Sequence, residues 1–181
     1  MYQEPRHIYS SYCTNNIGKQ IYDIATKLKP TKIIDFGILY GYSTVCLAQA
    51  VRDNGIGHVY ALDLFEDYQY RHSIKSIVEY NLQYYNLTQY VTLIKKDFKD
   101  WLTEEDDFDL LHLDVSNTGD VINSLYEKYP KESVIFEGGT VERDNVKWMI
   151  EYNATPIQHS IAPYEIIDNN FPGLSGYNIN N

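Results

Sequence analysis

The stretch that decides the fold is residues 33–47, IIDFGILYGYSTVCL. A short run of β-branched residues is followed by Asp35 and by two glycines four residues apart. Ser43 and a further apolar segment come after them. The β-branched run is typical of a buried strand, and the apolar segment after the glycines is typical of a helix. The stretch therefore predicts a strand-to-helix turn, in which Gly37 lets the backbone leave the strand. Gly41 would allow a ligand or a neighbouring strand to approach closely.

The glycine spacing disfavours two well-known nucleotide-binding turns. A dinucleotide-binding turn requires G-x-G-x-x-G, whereas this chain has G-x-x-x-G and no third glycine. A phosphate-binding loop would continue with Lys-Ser/Thr, which is absent here. The turn therefore suits a ligand without a pyrophosphate, and an NAD dehydrogenase is disfavoured.

The rest of the chain alternates between strand and helix patterns. Strands are predicted at 32–36, 57–62, 91–94, 108–113, 133–136, 156–160 and 164–167. Helices are predicted at 43–52, 70–85, 121–129 and 146–152, with a first helix that Thr14 caps and whose apolar face runs from 17 to 28, and a short acidic helix after Asp97. This alternation predicts an α/β fold, a doubly wound parallel sheet with helices on both faces. The last two strands are joined by a short connection, which suits an antiparallel edge pair.

Length and composition narrow the class of protein. The 181 residues suit one domain, 1–181, in which 1–13 form a loose leader. A net charge of −10 disfavours nucleic acid as a partner, because phosphate attraction needs a basic surface. Cys13 and Cys46 lie in unlike surroundings, so a disulfide framework is not expected. No stretch resembles a signal peptide or a membrane span, and the sequence predicts a cytoplasmic protein with no membrane partner.

Acidic residues lie at or just after the ends of four successive predicted strands: Asp35, Asp63, Asp97 and Asp114. Ligands of open parallel sheets bind beyond the carboxyl ends of the strands, where the strand order reverses. A carboxylate after the second strand can accept hydrogen bonds from the two hydroxyls of a ribose. The alternative is a set of ordinary solvated turn acids, but core packing does not require four of them at one edge.

With these features the chain resembles the class I S-adenosylmethionine-dependent methyltransferases. The segment DFGILYGYST resembles the first motif of the family, and VYALD, VTLIKKDF and DLLHLD resemble the later strand motifs. The likeness runs from about residue 17 to the end and is strongest to small-molecule O-methyltransferases related to the catechol and caffeoyl-CoA enzymes. It implies the Rossmann-like class I methyltransferase fold, S-adenosylmethionine as cofactor and a small-molecule acceptor methylated on oxygen.

The resemblance also implies which residues hold the methionine end of the cofactor. Gly37, Gly41 and Ser43 would line it. Asp35 would reach the amino group of the cofactor directly or through water.

The other end of the cofactor is assigned in the same way. Asp63 would hold the ribose, and Asp97 with Phe98 would flank the adenine. Asp114 would lie beside the methyl group, where the acceptor enters.

The catechol-type enzymes hold a divalent cation, and the resemblance implies candidate ligands for one. Asp114 would be the first, and the segment GGTVERDNVKW offers Asp144 and Asn145. Oxygen ligands suit Mg²⁺ or another divalent cation, which would lower the pKa of an acceptor hydroxyl. In the alternative register, Asp144 and Asn145 begin a helix and Glu137 faces the site from the tip of the fifth strand.

The candidate catalytic residues are Asp114, Asn117 and Glu137. Asn117 stands where the family has a catalytic lysine, three residues after the strand-four acid. His112 is a candidate general base, with a satisfied core histidine as the alternative because it lies inside a strand.

Three functions remain open at this point: a methyltransferase, a non-methylating enzyme on the same fold, and a non-catalytic S-adenosylmethionine-binding protein. The short leader leaves room for a pocket completed by a second subunit in a homodimer.

Overall fold

The computed structural model describes residues 1–70 and 72–180, and in these the strand patterns build one seven-stranded sheet. The strands are β1 Lys32–Phe36, β2 His58–Asp63, β3 Val91–Lys95, β4 Leu110–Leu113, β5 Ser133–Glu137, β6 Glu165–Asp168 and β7 Leu174–Tyr177. Their order is β3-β2-β1-β4-β5-β7-β6. All pairs from β3 to β5 are parallel, whereas β7 runs antiparallel to both of its neighbours.

Helices connect the parallel strands. They are α1 Ile17–Leu28, α2 Tyr42–Asn54, α3 Lys75–Tyr84, α4 Phe98–Thr103, α5 Gly119–Lys128, α6 Val141–Asp144 and α7 Lys147–Glu151, with short 3₁₀ helices at Ser11–Thr14, Phe65–Asp67, Thr88–Tyr90 and Ile157–His159. No helix in the described part of the chain is long and apolar enough to cross a membrane.

The alternation of side chains along β1 divides the core into two layers. Ile33 belongs to the apolar cluster that contains residues of α1 and α2, and Ile34 belongs to the cluster that contains Trp101 and Ile122. Successive side chains of a strand point to opposite faces, so helices cover both faces of the sheet. The third residue of this alternation, Asp35, is thereby directed to the α2 side, into the interior.

The predicted α/β fold with an antiparallel edge pair is confirmed, and ten predicted elements begin and end within two residues of the observed bounds. The prediction is wrong in the tail. Residues 156–160 form no strand, because the backbone N–H groups of Ile157 and Gln158 donate to the Asp144 carboxylate and fold the segment into a 3₁₀ helix. The last strand is β7, whose Gly176 has weak strand propensity and lies against the Val134 carbonyl.

Helix α3 begins at Lys75 instead of residue 70. The Ser73 hydroxyl donates to the carbonyl of Leu39, and Ile74 is extended, so the chain enters the helix later than the apolar pattern predicts. Arg71, which the predicted helix includes, lies outside the described residues.

The segment predicted to be a loose leader is packed against α1 and α2. Ile8 and Tyr12 are buried in the same cluster as Ile17 of α1. The hydroxyl of Tyr42, in the first turn of α2, donates to Glu4. The expectation of a loose segment is therefore wrong at these positions.

The turn between β1 and α2 depends on Gly37. Its φ is +81°, and a Cβ at this position would lie 2.1 Å from the backbone oxygen of Asp114. Gly41 also has a positive φ, +85°, and caps α2 against Val78 of α3. Gly37 thus allows the turn after β1 to cross close to the end of β4.

We expect Gly37→Ala to destabilise the protein far more than Gly55→Ala. Both glycines have a positive φ, but nothing lies within 4 Å of the Cβ position of Gly55. The left-handed backbone alone should cost about 1–2 kcal/mol at Gly55, whereas steric overlap should raise the loss at Gly37 to about 2–5 kcal/mol. Urea unfolding measures both losses, and equal values would show that the close approach to Asp114 does not constrain the fold.

Candidate functional site

A cavity of about 640 Å³ opens at the carboxyl ends of the parallel strands. It is lined by one residue at or just after the end of each of β1 to β5: Gly37, Asp63, Asp97, Asp114 and Glu137. On one side of the sheet the chain adds strands outward from β1 to β3, and on the other side it adds them outward from β4 to β5. The strand order therefore reverses between β1 and β4, and the cavity lies at this point. This is the usual ligand site of an open α/β sheet.

One wall of the cavity is apolar and includes Leu64, Phe98, Leu102, Val115 and Val121. The Phe98 ring packs edge-on against Phe36, with ring centroids 5.3 Å apart, and stacks on Trp101 at 5.9 Å. These contacts restrain the Phe98 ring, and the wall can accommodate a flat, apolar ligand surface.

Asp63 supports the turn after β1 and also faces the cavity. Its carboxylate accepts backbone N–H groups from Phe65 at 2.8 Å, Ile38 at 2.9 Å and Leu39 at 3.4 Å. Burial raises the pKa of Asp63, and these hydrogen bonds oppose the shift. A carboxylate offers about four acceptor positions, so capacity remains for a ligand hydroxyl.

Asp97 caps helix α4, accepting the Lys99 N–H at 2.7 Å through Oδ1, and leaves its second oxygen without a hydrogen bond to a described residue. Lys96 and Lys99, which flank it, also line the cavity. Asp97 and Phe98 thus place an acceptor and a ring side by side on the β3 edge.

Three predicted cofactor residues lie outside this cavity. Asp35 is fully buried, and its carboxylate accepts hydrogen bonds from Ser43 at 3.0 and 3.1 Å and from Thr44 at 2.6 Å. Ser43 lines a smaller recess of about 50 Å³, which shares Gly37 and Asp114 with the large cavity. Gly41 lines neither space.

Asp114 and Glu137 form a pair of acids at the inner end of the cavity. Burial, together with the charge of Glu137, raises the pKa of the Asp114 carboxyl well above its usual range, and Tyr12 and Arg143 oppose the shift. Glu137 accepts the Nε–H of the buried Arg143 at 2.5 Å. The Arg143 guanidinium lies 5.0 Å from the centre of the Trp148 ring. The acid pair is thus held beside a buried positive charge.

Asn117, predicted as catalytic, is fully buried and does not line the cavity. Its amide donates to the carbonyls of Leu113 and Glu137, both at 3.0 Å. These residues end β4 and β5, so Asn117 joins the two strands that carry the acid pair.

The residues predicted to bind a divalent cation do not fit that role. The Asp144 carboxylate accepts the N–H groups of Ile157 and Gln158, both at 3.0 Å, and Asn145 is exposed and donates to the Val141 carbonyl. Among residues 1–70 and 72–180, no group of three or more His, Cys, Asp or Glu side chains could hold a metal ion. The helix-start alternative is also wrong for these two residues, because Thr140 caps the start of α6, Asp144 is its last residue and Asn145 follows its end.

Sequence reasoning missed Tyr12, which lines the small recess together with Asp114, and left Arg143 without a firm role. The apolar residues Ile8 and Tyr12 are four positions apart, the spacing of one helix face, and this was the available signal for a buried segment. Nothing in the sequence pairs Arg143 with Glu137, because the turn through Gly138 and Gly139 that brings them together has positive φ values.

Comparisons with known proteins agree with this fold and site. A family model described as a methyltransferase domain matches residues 34–146, which is more than half of the chain. The chain belongs to this family, and its resemblance to the class I S-adenosylmethionine-dependent methyltransferases is confirmed. Among curated proteins, none matches the sequence.

Solved structures share the architecture at low sequence identity. A methyltransferase from Geobacter sulfurreducens has a TM-score of 0.63 at 18% identity, over 90% of this chain and 77% of that one. The S-adenosylhomocysteine-bound Podospora anserina methyltransferase PaMTH1 has a TM-score of 0.62 at 14% sequence identity, over 93% of this chain and 78% of that one. The Bacillus cereus O-methyltransferase in complex with S-adenosylhomocysteine has a TM-score of 0.53 at 22% sequence identity, over 75% of this chain and 60% of that one. At these identities the likeness shows the fold alone.

We expect Asp114→Asn to gain stability relative to the wild type as the pH rises from about 4 to 8. The folded protein raises the pKa of Asp114, so the wild type retains the full contribution of this group only below its unfolded pKa, about 3.9. That contribution is lost as the pH rises through the folded pKa, and asparagine cannot ionise. Urea unfolding across the pH range measures the difference.

Asp109→Asn is the control of opposite sign. Hydrogen bonds from Thr31 and Lys32 lower the pKa of Asp109, so its contribution to stability is present above the unfolded pKa and lost in acid. This variant should lose stability relative to the wild type at neutral pH and approach it as the pH falls. A pH-independent difference for Asp114→Asn would contradict the raised pKa of Asp114.

Proposed function

We propose that this protein transfers the methyl group of S-adenosylmethionine to an oxygen atom of a small molecule. The observation that carries the proposal is the cavity itself, in which an acid follows β2, a ring follows β3 and an acid pair follows β4 and β5. Two structural neighbours support it: one is an O-methyltransferase in complex with S-adenosylhomocysteine, and the other is a methyltransferase bound to the same compound.

The residues present fit this cofactor. A volume of about 640 Å³ lies within the range of small-molecule sites, about 300–1,000 Å³. Asp63 keeps acceptor capacity for a ribose hydroxyl, and Phe98 lies on the apolar wall where adenine would bind. Five acids line the cavity against two lysines, Lys96 and Lys99, a balance that favours a positively charged ligand over an anion.

Bound S-adenosylmethionine would supply an electrophilic methyl group on a positively charged sulfur. The chain would act mainly by holding cofactor and acceptor together and by excluding water from the inner end of the cavity. There the Asp114 carboxylate would receive the proton that the acceptor hydroxyl loses. Arg143, held by Glu137, would limit the negative charge that accumulates on the acid pair.

A second candidate is a protein that binds the cofactor without catalysis. The position of the family lysine is occupied by Asn117, which connects two strands and does not reach the cavity. A non-methylating enzyme on the same fold also remains open for that reason. Formation of a methylated product separates both alternatives from the proposed function.

The cytoplasmic location and the homodimer stay predictions. Both cysteines are free, Cys13 exposed and Cys46 buried, which suits a reducing compartment.

We expect the purified protein to bind S-adenosylmethionine and S-adenosylhomocysteine in isothermal titration calorimetry. Asp63→Ala should weaken both by about 1–3 kcal/mol, the usual loss for a hydrogen-bonded charged group, or about 5- to 150-fold. Asp63→Asn, which keeps an acceptor for the Ile38 and Leu39 N–H groups, controls for disruption of the turn.

Asp67→Ala is the matched control, because Asp67 is exposed, pairs with Lys95 and lies outside the cavity. Its affinity should equal that of the wild type. If both cofactor forms failed to bind the wild type, the proposed function would be abandoned.

We expect methyl transfer to hydroxylated small molecules to be the same with EDTA as with added Mg²⁺, because Asp144 and Asn145 are engaged elsewhere. Mass spectrometry of a panel of phenols, catechols and sugars measures the methylated product. Activity that disappears in EDTA and returns with Mg²⁺ would show that a cation binds at residues other than the predicted set.

A further inference from the structure

Asp35, which the sequence assigns to the amino group of the cofactor, instead holds a buried histidine. The Nδ1 atom of His112 lies 2.7 Å from Oδ1 of Asp35, and its Nε2 atom lies 3.1 Å from the Tyr12 hydroxyl. The three side chains are each at most 1% exposed. They connect the end of β1 to the amino-terminal segment through contacts that are shielded from water.

The sheet register places these groups together. Asp35 and His112 are directly paired across β1 and β4, so their side chains lie on the same face. The Asp35 carboxylate can only accept, so Nδ1 of His112 carries a hydrogen, and in the neutral ring Nε2 is an acceptor for the Tyr12 hydroxyl. His112 lines neither the cavity nor the recess. A satisfied core histidine therefore describes it better than a general base does.

Tyr12 belongs to a wall of the small recess. Residues 9–12 all line the recess, and Ser11 also lines the large cavity. Tyr12 lies in the 3₁₀ helix Ser11–Thr14, and the Ser10 hydroxyl accepts the Tyr12 N–H at 3.2 Å. A shift of Tyr12 would therefore move Ser10 and Ser11 with it.

The residues that precede this wall are held by other contacts. The Gln3 N–H donates to the Gln49 side chain at 2.7 Å, and Gln49 donates back to the Gln3 carbonyl at 2.8 Å. Ile8 is buried in the core beside α1 and α2. Because these contacts do not involve Tyr12, loss of the histidine contact would release residues 9–12 and leave the start of the segment in place.

The recess suits the amino-acid end of S-adenosylmethionine. It shares Asp114 with the large cavity, and Tyr42 and Ser43 line it from the first turn of α2. The N-terminus of a helix favours a carboxylate, and an acidic side chain favours an ammonium group. The wall of residues 9–12 encloses both of these groups from the other side.

We propose that His112 is a positioning residue for cofactor binding: by holding Tyr12, it fixes residues 9–12 as the wall that receives the amino-acid end of S-adenosylmethionine. This inference rests on the proposed function, which requires the cofactor in the large cavity. If the wall were in place only part of the time, the apparent affinity would fall with the fraction of binding-competent molecules. The nucleoside end, beside Asp63 and Phe98, does not depend on this wall.

The first test compares two ligands by isothermal titration calorimetry. S-adenosylhomocysteine has the amino-acid end, whereas 5′-methylthioadenosine keeps the nucleoside and the sulfur but lacks it. His112→Leu should weaken S-adenosylhomocysteine by about 3- to 10-fold, the range of one hydrogen bond. The affinity for 5′-methylthioadenosine should stay unchanged. Equal losses for the two ligands, or no loss for either, would overturn the positioning role.

Two further variants test whether His112 acts through Tyr12. His112→Gln offers an amide N–H to Asp35 and a carbonyl to the Tyr12 hydroxyl, so it should restore most of the lost affinity. Tyr12→Phe removes only the hydroxyl and should give the same selective loss as His112→Leu, which keeps the test available where the leucine variant does not fold. A Tyr12→Phe protein that binds both ligands as the wild type does would contradict the inference.

Tyr177→Phe is the matched control. Tyr177 is also 1% exposed and its hydroxyl makes one hydrogen bond, to the Tyr129 carbonyl, but it lies on β7 outside the cavity. The affinity of this variant for both ligands should equal that of the wild type.

A second measurement needs no ligand. Hydrogen exchange followed by mass spectrometry should show faster exchange at residues 9–12 in His112→Leu and no change at residues 1–8. Unchanged exchange at residues 9–12 would show that His112 does not fix the wall.

The outcomes separate this inference from the proposed function. Selective loss of S-adenosylhomocysteine binding in His112→Leu, in a wild type that methylates no acceptor, would support the positioning role while rejecting the proposed function. Methyl transfer by a His112→Leu protein with unchanged affinity for S-adenosylhomocysteine would reject the positioning role alone. A wild type that binds neither ligand would reject both.

Discussion

The close approach of two backbones, at Gly37 and Asp114, is the constraint on which the site depends. A Cβ at residue 37 would overlap the Asp114 carbonyl, so only glycine allows the turn after β1 to pass the end of β4. This is also the point where the strand order reverses. The contact therefore sets the shape of the cavity floor, and Asp63 holds the other side of the same turn through three backbone N–H groups.

The parallel core and most of the cavity edge could be predicted from the sequence because they depend on local patterns. Alternating runs of apolar residues locate β1 to β5, and an acid after each strand falls at the carboxyl edge by topology alone. Gly37, Asp63, Asp97 and Phe98 accordingly meet where the sequence places them. Strand β7 was not predicted, because the segment LSGY is short and includes a glycine. Its position between β5 and β6 depends on contacts with these distant strands.

The direction of each side chain was harder to predict than its position. Asp35 lies at the correct strand end but on the face covered by α2, so it binds Ser43, Thr44 and His112 and does not reach the cavity. Asp144 shows the same limitation. Its spacing after the fifth strand is that of a metal ligand, but its carboxylate accepts the backbone N–H groups at the start of the 157–159 turn. Such partners come from distant segments, and no local pattern in the sequence identifies them.

The charges at the inner end of the cavity form a consistent arrangement. Asp114 and Glu137 are close enough to raise the pKa of Asp114, and Arg143 supplies the positive charge that stabilises Glu137. A buried ion pair that lost one partner would leave an uncompensated charge, which is strongly destabilising. Asn117 completes the arrangement by binding the carbonyls at the ends of both strands. The same geometry that holds these acids together in the folded state leaves Asp114 facing the cavity, so the proposed proton transfer would depend on the same side chains that stabilise this end of the sheet.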